Sequence, residues 1–171
     1  SVRVQAKVQL FFTYRNMREP ELLEKAIREA IALGKQSEDK KQLVHALNAR
    51  GWTLSYPPRV DLDSSLYYIN EAKKLAESIQ YGDGLAEAFY ELGYHYSYFR
   101  SEFEDSVDHY YKKAIELYSE NDAEINRVID SYKKLAIYHN RVGNVEKALS
   151  YVDTAEPYRE DPHIMNVRAI N

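Results

Sequence analysis

Lys113-Ala114-Ile115-Glu116-Leu117 is the third of four related pentads, after Glu29-Ala30-Ile31-Ala32-Leu33 and Glu71-Ala72-Lys73-Lys74-Leu75 and before Thr154-Ala155-Glu156-Pro157-Tyr158. The central alanine returns at intervals of 42, 42 and 41 residues, as Ala30, Ala72, Ala114 and Ala155. A period of about 20 to 50 residues marks one supersecondary unit stacked on copies of itself, because no single unit can bury its apolar face alone.

Seventeen or eighteen residues after each of the first three alanines stands a second block: Leu47-Asn48-Ala49-Arg50-Gly51, Phe89-Tyr90-Glu91-Leu92-Gly93 and Tyr132-Lys133-Lys134-Leu135-Ala136. A bulky residue is followed three and four places on by a mostly apolar residue and a small one, which is the spacing of one helix face. Gly51 and Gly93 fall inside these stretches, where glycine costs roughly 1 kcal/mol relative to alanine. Close approach of a neighbouring helix offsets that cost, and Ala136 at the equivalent place agrees.

Turn signals separate the blocks: Gly34 to Lys41, Tyr81-Gly82-Asp83-Gly84 and Glu120-Asn121-Asp122, then Tyr56 to Asp61, the region of Arg100 to Glu102, and Arg141-Val142-Gly143-Asn144. Each unit is therefore a pair of helices. The pattern predicts helices near 2–16, 20–36, 40–55, 62–80, 84–99, 103–119, 122–141 and 145–157, with a ninth starting at 162. Pro20 and Pro162 suit a first helical turn, where a missing N–H is no loss. The chain reads as one repeat domain with units at about 1–38, 39–80, 81–121 and 122–160, then the start of a further helix over 162–171. Apolar Ile164, Val167 and Ile170 there lead us to expect a fragment of a longer protein.

The motifs resemble the tetratricopeptide repeat family, whose signature runs Trp-x2-Leu-Gly-x2-Tyr and then Ala, aromatic, Ala and Pro. Phe89-x2-Leu92-Gly93-x2-Tyr96 matches the first half, and Gly143-x-Val145-Glu146-Lys147-Ala148-Leu149 through Ala155 the second. The resemblance covers about residues 20 to 160. The period is about eight residues longer than the usual 34 of the family, similar to the repeats of kinesin light chains and many bacterial regulatory proteins. Arg50 departs from the signature leucine and His139 from the tyrosine. The resemblance implies an all-α fold, an α-solenoid of antiparallel helix pairs in a right-handed superhelix, in which the first helix of each pair lines a concave groove.

Composition narrows the function. The chain has 171 residues, no cysteine and a net charge of −4, which excludes disulfides and thiolate metal sites and argues against a nucleic-acid partner, since such proteins carry a basic excess. Glu24-Lys25, Glu71-Ala72-Lys73 and Glu146-Lys147 interleave opposite charges as solvated helix faces do. No run approaches the roughly 18 apolar residues of a membrane span, and no signal peptide is legible. We read the chain as soluble, with the cytoplasm slightly favoured. The five histidines are dispersed without metal-ligand spacing, and no phosphate loop or nucleophile elbow occurs. The acidic residues Asp61, Asp63, Glu102, Glu104 and Asp105 sit near helix starts, where the helix dipole favours them. Neither an enzyme nor a cofactor is expected.

The resemblance places His45, Asn48, Trp52 and Tyr56 of the second unit in the groove, followed by Glu87, Tyr90, Tyr94 and Tyr98 of the third. Lys133, Ile137, Asn140 and Arg141 come from the fourth. Tyr90, Tyr94 and Tyr98 are spaced i, i+4, i+8 and form one stripe, while Phe89, Leu92 and Tyr96 form another. One helix cannot bury both against the same neighbours, so one stripe is left over. It reads either as an aromatic platform for a peptide or as a surface for further packing. Lys133, Asn140 and Arg141 could meet a carboxylate or phosphate, or form an ordinary solvated face. The expected function is a non-catalytic scaffold that binds a protein or peptide in the groove. The alternative is a sensory or regulatory repeat domain of a larger signalling protein (a histidine kinase, cyclase or transcription regulator) that transmits ligand binding or self-association.

Overall fold

The computed structural model describes residues 5–10, 13, 19–55, 60–99, 104–120 and 124–160. All regular structure among them is helical: α1 (residues 5–10), α2 (Pro20–Gln36), α3 (Lys41–Leu54), α4 (Leu62–Ser78), α5 (Gly82–Phe99), α6 (Glu104–Tyr118), α7 (Ile125–Arg141) and α8 (Val145–Glu160). The protein is all-α, and helices adjacent in sequence pack on one another: α2 on α3, α3 on α4, α6 on α7 and α7 on α8. The chain divides into two compact units, Ser1–Glu91 and Leu92–Asn171. The expected ninth helix and Tyr56 lie outside the described residues.

In the first unit two apolar clusters form the core. Leu23, Ala26, Ile27 and Ala30 of α2 meet Ala46 and Ala49 of α3, with Val8 of α1 and the half-buried Trp52 and Ile31 against them. On the other side of α3, Leu43, Val44 and Leu47 meet Ala72 and Ala76 of α4. All four repeat alanines, Ala30, Ala72, Ala114 and Ala155, are buried.

The interior glycines mark close helix contacts. A Cβ on Gly51 would lie 2.4 Å from Ile69 Cγ1 and 3.1 Å from the Ser65 carbonyl oxygen, and on Gly93 it would press on the face of the Tyr111 ring at 2.9 Å. The Gly51 carbonyl also accepts the Ser65 hydroxyl at 2.9 Å, so α4 has no room to withdraw. Gly51→Ala is expected to cost about 1 kcal/mol net: overpacking of about 1–3 kcal/mol against about 1 kcal/mol gained in helix propensity. Urea unfolding measures it, and a variant more stable than wild type would refute the close approach.

The helix ends follow local chemistry. Asp61 caps α4, its carboxylate accepting the Ser64 N–H at 3.0 Å, and hydrogen bonding from the Ser64 side chain, then from its N–H, lowers its pKa. Lys40 donates to the Lys35 carbonyl at 3.0 Å and covers the last turn of α2. After α7, Gly143 adopts φ +85° while its N–H reaches Asn140 O and the Asn144 N–H reaches His139 O. That is the Schellman motif, which wants a left-handed residue at its centre. The end of α4 repeats it, with bonds from Gln80 to Glu77 and from Tyr81 to Ala76, but here the left-handed residue is Gln80 at φ 53°. Gln80→Gly removes the Cβ penalty and is expected to raise stability by about 0.5–1 kcal/mol. A lower midpoint in urea would contradict it.

Two expectations shift. Gly82-Asp83-Gly84, read as a turn, forms the first turn of α5, where Gly84 admits the Val44 side chain and the Tyr81 ring. The last helix, expected to end at 157, continues through Pro157 to Glu160. Pro157 is exposed and sits in the final turn, where only one backbone bond is lost.

Candidate functional site

In the first unit, α3 and α5 bring together His45, Asn48 and Glu87. The Glu87 carboxylate accepts from His45 Nδ1 at 2.8 Å and from Asn48 Nδ2 at 3.2 Å. Because a carboxylate only accepts, Nδ1 carries a hydrogen, and in the neutral ring Nε2 then accepts the Tyr81 hydroxyl at 2.7 Å. Asn48 also donates to the Gly84 carbonyl at 3.1 Å and is buried. Lys41 lies 5.0 Å from the Tyr81 ring centre. His45 and Glu87 stand 42 residues apart, one repeat period, so equivalent places of successive units meet here. Trp52 does not join this cluster. It packs against the α2–α3 core, which gives the ring a structural task.

Of the tyrosine stripe along α5, readable as a platform or as a packing surface, only the last ring stands open. Tyr90 and Tyr94 are buried, at 8% and 9% exposure, whereas Tyr98 is 45% exposed. In the second unit the helix has neighbours on more than one side. Tyr96 lies 5.2 Å from Tyr110 of α6 and Tyr94 lies under Lys134 of α7 at 5.8 Å, so both stripes find partners until the C-terminal end.

At that end a compact surface forms within the second unit. The Tyr94 and Tyr98 rings are 4.5 Å apart. The Arg141 guanidinium lies 4.8 Å from the Tyr98 ring centre and donates a hydrogen bond to the Ser97 carbonyl. Lys134, Ile137 and Arg141 are spaced i, i+3, i+7 and so share one side of α7. Ile137 is exposed, as are Lys133 and Asn140. Four cationic residues on α7, Arg127, Lys133, Lys134 and Arg141, face one acidic residue, Asp130. In a chain of net charge −4 this helix is locally basic. The surface offers an aromatic edge, an aliphatic side chain and oriented cations, which is chemistry for binding.

A second polar assembly of the same unit went unread in the sequence. Asp108 of α6 accepts from His139 Nε2 of α7 at 2.6 Å, and from Tyr151 and Lys147 of α8 at 3.0 and 2.9 Å. Lys112 approaches at 3.4 Å. Burial pushes the Asp108 carboxyl up, but the hydrogen bonds from His139, Lys147 and Tyr151 outweigh it and leave its pKa lowered. Tyr151, desolvated and beside that carboxylate, is held well above the usual phenol range. The signals were the departure at His139 and the acid inside a helix. Its partners lie 31 and 43 residues away, so spacing alone did not join them.

Arg50, at the place of the signature leucine, pairs with Glu24 of α2, while Arg28 reaches the same carboxylate at 2.5 Å. Burial raises the Glu24 pKa, the bonds from Arg50 and Arg28 lower it, and the net direction is down.

Among the described residues no group of three or more His, Cys, Asp or Glu side chains is arranged to hold a metal ion, and no helix is long and apolar enough to cross a membrane. No family model matches the chain, and no curated protein matches it either.

Proposed function

We propose that the protein is a non-catalytic, tetratricopeptide-like recognition module that binds a peptide or protein segment. The observation that carries this reading is the Tyr98–Ile137–Arg141 surface. A half-exposed ring is held by an arginine already fixed to a backbone carbonyl, with an exposed aliphatic residue on the neighbouring helix. Anchors of this kind lose little side-chain entropy on binding, because their rotamers are set beforehand. The period near 42 residues and the Leu92-Gly93-x2-Tyr96 motif support the family reading. Lys133 and Asn140 would supply the polar rim, and the His45–Glu87–Tyr81 cluster is a second set of polar groups in the first unit.

An array of synthetic peptides of mixed composition, probed with the full chain, tests the proposal. Retained peptides should lose at least about tenfold in affinity, or 1.4 kcal/mol, to the chain carrying Tyr98→Ala or Arg141→Glu. Lys74→Glu, a surface change in the first unit, should leave them bound. Binding indifferent to both Tyr98 and Arg141, or no retained peptide, would defeat the assignment.

A further inference from the structure

The outer side of α8 carries a feature the peptide surface does not use. Val145, Leu149 and Val152 are spaced i, i+4, i+7 and so form one stripe, and all three are exposed, Leu149 at 59%. The adjoining side of the helix, about a quarter-turn round and carrying Ala148, Tyr151 and Ala155, is buried. An apolar stripe of this spacing is what a helix presents to a partner helix.

The repeat itself says how such a stripe is used. With Ala114 set against Ala155, the places of Leu149 and Val152 correspond to Asp108 and Tyr111 of α6, and both of those are buried. Asp108 is covered there by α7 and α8, through His139, Tyr151 and Lys147. Setting Ala72 against Ala155 makes Ile69 of α4 the counterpart of Val152, and it is fully buried. The place of Val152 is thus enclosed in both α4 and α6 and that of Leu149 in α6, whereas in α8 both are open and apolar.

The rim decides the chemistry of the occupant. Glu146 and Asp153 lie along one edge of the stripe, both exposed. Lys147, the cation nearest in sequence, is drawn to Asp108. Pairing this face with the same face of a second copy would set these acids against one another, which is unfavourable. We propose that the Val145–Leu149–Val152 face of α8 docks an amphipathic helix of a partner protein, with apolar residues at i, i+3 or i+4, and i+7 and lysine or arginine beside them. This is the helix-in-groove mode of recognition, on a surface separate from Tyr98 and Arg141.

The test uses the full chain and three labelled synthetic helices of about 18 residues: one with a leucine stripe flanked by lysines, one with the same stripe flanked by glutamates, and a scrambled lysine peptide. The lysine-flanked helix should bind at least about tenfold more tightly than the other two and weaken with salt. Leu149→Glu and Val152→Glu, both solvent-facing changes checked for retained helicity by circular dichroism, should each remove at least about tenfold of that affinity. Tyr98→Ala should not, which separates this face from the peptide surface. Equal binding of the lysine and glutamate helices, or indifference to Leu149→Glu, would overturn the proposal. So would sedimentation showing a dimer that Leu149→Glu dissolves, since the occupant would then be a second copy. Binding that appears only once Val167→Glu is introduced would also overturn it, by making the chain's own C-terminal segment the occupant.

Discussion

Asp108→Ala lowers the unfolding free energy by about 2–4 kcal/mol, because it leaves buried donors on two helices without their acceptor. The His139 ring is fully buried, and its Nε2 meets the carboxylate at 2.6 Å. Tyr151 is buried too and donates at 3.0 Å. Each such donor, stripped of its partner, costs about 1–3 kcal/mol. Lys147 and Lys112 are more exposed and can turn to water, so they add little. Asp108→Asn keeps the volume and one acceptor oxygen and should fall between alanine and wild type in urea unfolding at neutral pH.

The same residue gives a pH dependence with a fixed sign. Its folded-state pKa is lowered, so its contribution is fully present above the ordinary carboxylate pKa and is lost as pH falls through the folded value. The gap between wild type and Asp108→Ala should therefore narrow in acid, below the usual carboxylate range. A gap that stays constant from neutral pH to acid would show that the charge of Asp108 is immaterial and that only its shape matters.

How much of this could be read beforehand depends on the range of the interaction. The helix spans were legible because each rests on local periodicity and local breaks. The span predicted over 20–36 is the observed α2, and α4 and α6 differ from expectation by one or two residues at their ends. The close approach at Gly51 was legible too, since a glycine inside a helical pattern needs a physical reason and a neighbouring helix supplies one. Side-chain pairing between helices was not. Glu87 with His45, Ser97 with Arg141 and Asp108 with Tyr151 are separated by 42, 44 and 43 residues. Once the repeat period is known, those separations are the ones to search, and an acid inside a helix one period from a histidine or tyrosine becomes a candidate pair. Whether the tyrosine stripe is platform or packing surface was open in the sequence for a different reason. Periodicity within α5 shows two stripes but not their neighbours: in the second unit α6 meets Tyr96 of one and α7 meets Tyr94 of the other.

That distinction separates Tyr94 from Tyr98 in experiment. Tyr94→Ala removes a buried ring packed at 4.5 Å on Tyr98 and capped by Lys134, and it is expected to cost about 2–4 kcal/mol of stability, toward the lower end of large aromatic truncations. Tyr98→Ala removes a half-exposed ring that rests on Tyr94 and Arg141, and it should cost less, about 1–2 kcal/mol, the worth of one aromatic pair and one exposed cation–aromatic contact. Binding should show the opposite order. Tyr98→Ala loses peptide affinity while the thermal midpoint falls less than in Tyr94→Ala. Tyr94→Ala is read at a temperature where the variant remains folded, so that lost affinity is not mistaken for lost structure. If Tyr98→Ala proves as destabilising as Tyr94→Ala, the ring is part of the core despite its exposure. The recognition surface would then have to be rebuilt around Ile137 and the cations of α7 alone.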